Sequence, residues 1–158
     1  KAEKSLGHRV ALSVKIGGGG GYTGKGKHLQ YGLDVETWIK EGLVDILVLV
    51  QDSNQIDVDL SSWQRVTAGT SCKIVCGTDN ITKGHDLTPQ EDAALARGEK
   101  LNLESGSQST VDYCKRAVSW YTAGADGFHF FNGWGGPDTL HVIGSLAKAK
   151  AYLAQHGQ

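Results

Sequence analysis

Short apolar runs alternate with stretches of helical spacing along the chain, and the alternation occurs four times. HRVALSVKI, residues 8–16, predicts a first strand, and a glycine-rich stretch follows it. DVETWIKEGL then predicts a helix, with Asp34 placed to cap its start and Gly42 to end it. VDILVLVQ, residues 44–51, is apolar at successive positions, as parallel strands covered on both faces are. A short helix is expected over Leu60–Val66, then a third strand over 72–78 with Asp79 at its end. The polar stretch from Asn80 to Ser109 is long for a connection within a domain, and such loops often carry function. TPQEDAALARG inside it predicts a small helix. STVD starts the next helix: Ser109 can cap it while Asp112 reaches back, and Val111, Cys114, Ala117, Val118 and Tyr121 share a face. GFHFFNGW predicts a fourth strand over 127–133, and after Pro137 and Asp138 one last helix runs through LAKAKAYLAQ. Strands alternating with helices imply an α/β fold with a parallel sheet, here a single domain over residues 1–158.

Composition narrows the picture modestly. At 158 residues and 39% hydrophobic content, the chain can bury a core of its own. Sixteen Lys and Arg balance 17 Asp and Glu, which predicts no general attraction to nucleic acid or to an anionic membrane. No apolar stretch approaches the length of a membrane span. The chain begins at Lys1 without a secretory core, and that beginning leaves its location open. Three cysteines offer no C-x-x-C pair, so no zinc site is expected; no metal and no cofactor is expected elsewhere in the chain. Cys72 and Cys76 share a strand face roughly 13 Å apart, too far for a disulfide. With Cys114 on a core-facing helix position, all three read as buried free thiols. Trp38 fits the apolar face of its helix.

The glycine stretch IGGGGGYTGKGKH, residues 16–28, invites comparison with a phosphate loop. G-x-x-x-x-G-K fits twice, ending at Lys25 and at Lys27, but Gly26 and His28 stand where a hydroxyl should hold magnesium. The expected helix is also late, starting at Asp34 rather than at the loop. The alternative is a loop whose glycines permit unusual backbone angles, with Lys25, Lys27 and His28 solvated upon it.

YGLDVETWIKEGLVDILV, together with the later YTAGADGFHFFN, resembles hypothetical glycosyl hydrolases grouped near glycoside hydrolase family 10. The likeness spans residues 8–150, strongest at 31–50 and 119–132. It implies a (β/α)8 barrel whose last four strands correspond to this chain. A full barrel takes about 250 residues, so the chain supplies half of one. Four strands cannot close, and a second copy could complete the cylinder as a homodimer. An open four-stranded sheet with helices on both faces is the alternative.

In both architectures chemistry sits at the carboxyl ends of the strands. That rule selects Lys15, Asp52, Asp79 and Asn132–Trp134, with Tyr22 and Lys25 on the glycine loop as further contacts to substrate. Glycoside hydrolysis uses two carboxylates, an acid for the leaving oxygen and a nucleophile or base. The resemblance implies a nucleophile at Asp79, whereas the acid of the fourth barrel strand has no counterpart, leaving Asp52 to substitute. Each acid also has a plain reading as a turn residue bonded to its own backbone. Trp134, with Phe131 and Asn132, reads either as a sugar platform or as the end of a buried strand. Phe128 and Phe130 read as packing, His129 as a satisfied core or interlayer histidine, and His28 and His85 as loop residues without metal partners. Three functions remain open: hydrolysis of glycosidic bonds in polysaccharide, carbohydrate binding or scaffolding without catalysis, and phosphate binding at the glycine loop.

Overall fold

The computed structural model describes residues 7–17, 28–50, 58–79, 81–83, 87–101, 106–131 and 135–157. Strands β1 (Ser13–Gly17), β2 (Ile46–Val50), β3 (Lys73–Asp79) and β6 (Gly127–Phe131) form one open sheet in the order β1-β2-β3-β6, every pair parallel. Helices α1 (Val35–Lys40), α2 (Leu60–Thr67) and α4 (Thr110–Thr122) provide the crossovers, and α5 (Pro137–Ile143) and α6 (Leu146–His156) follow β6. Helix α3 (Pro89–Ala96) lies between the short strands β4 (Ile81–Lys83) and β5 (Gly106–Ser107), which pair antiparallel. The fold is therefore α/β with a parallel sheet. Among the described residues, no helix is long and apolar enough to cross a membrane.

Local chemistry accounts for the element boundaries. Asp34 caps α1 by accepting from the Thr37 amide, and Ser109 with Asp112 closes a reciprocal capping box at α4. Thr88 and Glu91 do the same at α3. Gly42 and Gly124 turn the chain from helix towards strand at φ 65° and 92°, angles that cost a side chain dearly.

Some expected elements differ. The first strand begins at Ser13 rather than residue 8, because β2 starts only at Ile46 and offers no ladder further back. Leu12 instead donates its amide to the Asp45 carboxylate and accepts from the Asp45 and Ile46 amides. The last helix is two helices: Ser145 accepts from the Lys148 amide and starts α6 anew after Gly144. The antiparallel pair of β4 and β5 inside the long polar stretch was not anticipated, since strands of two or three residues show no periodicity.

The core lies on one face of the sheet. Val14 and Ile16, Leu47 and Leu49, Ile74 and Cys76, and Phe128 and Phe130 alternate onto it, under Val35, Ile39, Leu60, Trp63, Tyr113 and Trp120 from the helices. All sheet residues in the two apolar clusters belong to this face, and the open four-stranded parallel sheet of the alternative reading is present. Phe128 stacks against Trp120 at 4.7 Å and Phe130 against Tyr113 at 5.6 Å, which makes both packing residues as expected. All three cysteines are free and buried, and burial pushes the Cys76 thiol up to about 12.

Candidate functional site

The face turned away from the helices has a different composition. Alternation places Lys15 on it from β1, Val48 and Val50 from β2, Val75 and Gly77 from β3, and His129 and Phe131 from β6. In register, Lys15 lies beside Val48, Val48 beside Val75, and Val75 beside Gly127, four residues short of Phe131. On a flat sheet, three strand spacings sideways and four residues along would separate Lys15 and Phe131 by roughly 19 Å. Yet the Lys15 Nζ sits 4.1 Å from the centre of the Phe131 ring. Two side chains cannot close that gap alone, so the sheet curls and brings its outer strands towards each other over this face.

The curl gathers a small set of groups near the strand carboxyl ends. Arg9, Lys40, Lys73 and Arg97 are in ion pairs, whereas Lys15 has the aromatic ring instead of a carboxylate. His129 lies beside Gly77 in the register, and its Nδ1 is buried with no hydrogen-bond partner. This corrects the expectation of a satisfied histidine. Burial, and then the Lys15 ammonium, hold its pKa below the ordinary 6.5, so it is neutral near pH 7. Gly77 leaves the room: a β-carbon there would stand 2.8 Å from Val50 Cγ1 and 3.4 Å from His129 Nδ1. Phe131 is 46% exposed, the one large aromatic on this face open to solvent among the described residues.

Asp79 ends β3 directly opposite Phe131, at the same parity as Val75 and Gly77. Behind it, on the helix side, Thr78 is buried and its hydroxyl accepts from Gln108 Nε2 at 2.7 Å and Arg116 Nη1 at 3.2 Å. Arg116 thus occupies the buried stripe of α4 with Tyr113, Cys114, Ala117 and Trp120. Of the stripe read from sequence, Cys114 and Ala117 are buried, while Val111, Val118 and Tyr121 flank it. An arginine three residues after Tyr113 and four before Trp120 was the available signal for this polar contact.

His28 departs from expectation as well. It is buried rather than solvated, with Nε2 3.1 Å from the Gly17 carbonyl and its ring edge-on to Trp63 at 5.3 Å. The ring therefore ties the end of β1 to the first residue described after the glycine stretch. Of the other predicted site residues, Asp52, Asn132, Trp134, Tyr22 and Lys25 lie outside the described residues, as does His85. Among the described residues, no group of three or more His, Cys, Asp or Glu is placed to hold a metal ion.

The opposite end of the sheet is built differently. Asp45 accepts from the Leu12 amide at 2.8 Å and pairs with Arg9; Asp126 accepts from the Ile74 amide at 2.9 Å and pairs with Lys73 at 3.0 Å. Each carboxylate sits just before a strand and secures the start of the strand beside it. This end is scaffold.

No family model matches the chain, and no curated protein matches it.

Proposed function

We propose that this chain is a glycoside hydrolase-like half barrel that takes carbohydrate on the curled face, with Asp79 as its principal carboxylate. The observation that carries the reading is the contact of Lys15 with Phe131 across the sheet, which turns the strand carboxyl ends into a concave surface with Asp79 opposite Phe131. Four curled parallel strands with helices outside are what half of a (β/α)8 barrel requires. In that arrangement β1 and β6 keep an open edge each, and a second copy supplies the other four strands. Phe131 and Trp134 offer faces for a sugar ring, Asn132 an amide for its hydroxyls, and Asp52 the second carboxylate.

The test is hydrolysis of a polysaccharide panel by the chain and by Asp79→Asn. Turnover falling by at least about 100-fold in the variant supports the reading; turnover unchanged contradicts it. Light scattering tests the assembly, where a dimer of 16.9 kDa chains is expected and a stable monomer removes the two-copy barrel.

A second reading is favoured by the pairing of Lys15 with an aromatic ring rather than with a carboxylate: a carbohydrate-binding protein without catalysis. It predicts glycan binding without turnover, weakened by Trp134→Ala.

A further inference from the structure

We propose that Lys15 and Phe131 together select an acidic sugar, the ammonium meeting a uronate carboxylate while the ring face receives the pyranose. The proposal rests on the carbohydrate reading above and adds to it the charge of the substrate.

The argument starts from what Lys15 has for a partner. Its Nζ rests over the Phe131 ring and takes part in no ion pair among the described residues. A cation over an exposed ring is held weakly, whereas a carboxylate offers a charge-assisted hydrogen bond that is shorter and stronger. An anion arriving on this face therefore draws the ammonium off the ring. The freed ring face is then open to the C–H face of the sugar that carries the anion. One group of the ligand uncovers the surface that the rest of it uses.

A neutral sugar lacks this exchange. To stack on Phe131 it must displace the ammonium and give it nothing equivalent in return, so the resident lysine discriminates against it. His129, on the same face beside Gly77, is held neutral near pH 7 by burial and by the Lys15 ammonium, so Lys15 is the cation that sets the preference. Val48, Val50 and Val75 form an apolar floor between the two outer strands, which keeps water from screening the pair completely.

The experiment compares trimers of galacturonate, glucuronate and mannuronate with their methyl esters, which keep the sugar and remove the charge. Binding to the whole chain is followed by calorimetry and by NMR of the Phe131 ring. At least one acid should bind at least tenfold more tightly than its ester and shift the Phe131 ring signals, and the preference should vanish in Lys15→Met. Lys15→Gln serves as a second variant, with circular dichroism showing that both fold. Esters binding as tightly as the acids, or a preference that survives both variants, overturns the acidic-sugar inference and leaves the carbohydrate reading standing. Acetate binding as tightly as a trimer also overturns it, since the ring would then contribute nothing. Failure of every acid and every ester to bind overturns this inference and the carbohydrate reading together.

Discussion

Residues one position apart on the same strand live in two different environments here. On β6, Phe128 and Phe130 face the helices and stack with Trp120 and Tyr113, while His129 and Phe131 between and beyond them face the curled surface. On β1, Ile16 is buried in the core and Lys15 beside it reaches across to Phe131. The helix-covered face is closed by matched apolar volumes. The other carries a cation over an exposed ring and a glycine that makes space beside a histidine, none of which a core needs. Features that packing does not require are the ones that binding can explain.

Breaking the packed face should cost the most. Trp120→Ala empties a fully enclosed site against Phe128 and should lower stability by about 3–5 kcal/mol in urea unfolding. Lys15→Met on the other face should change it by less than about 1 kcal/mol. Equal losses would erase the distinction between the faces.

Gly77→Ala probes the space beside His129. Its new methyl would crowd Val50 and the Leu49 carbonyl, at 2.8 and 3.3 Å, and should cost about 1–3 kcal/mol. The same variant should perturb the His129 ring signals in NMR. Asp126→Ala tests the scaffold end: the Ile74 amide loses its carboxylate, and the expected loss is about 1–2 kcal/mol with glycan binding unchanged.

The smallest effect concerns pH. The folded chain holds His129 below 6.5, so in acid the unfolded chain takes up the proton more readily. This contribution is intact above 6.5 and is lost as the pH falls towards the lowered folded value. Urea midpoints measured between about pH 5 and pH 8 should fall less on acidification in His129→Gln than in the parent chain. An identical slope would place His129 in ordinary solvent.

Much of the scaffold was legible because it rests on local signals. Asp34 and Gly42 marked α1, STVD marked α4, and VDILVLV marked a strand buried in a sheet. The Lys15–Phe131 contact was not legible, since it depends on how far four strands curl, and no residue pattern encodes that directly. His129 and Arg116 were missed for a related reason: each is a polar residue among aromatics, and only the opposite face or a distant hydroxyl gives it meaning. Asp79 ends its strand as the pattern suggested, whereas its place opposite Phe131 was not legible.

Asp34, Gly42, Asp45, Gly124 and Asp126 cap a helix, turn the chain or fasten strand starts, and so speak to architecture rather than to chemistry. The functional reading stands on the curled face.

Backbone amide NMR during titration with neutral and acidic oligosaccharides tests that face most directly. The account predicts shifts concentrated at Lys15, Gly17, Gly77, His129 and Phe131, with Leu47, Ile74 and Cys76 on the helix side unmoved. Shifts confined to the helix side, or none with any glycan, would contradict it.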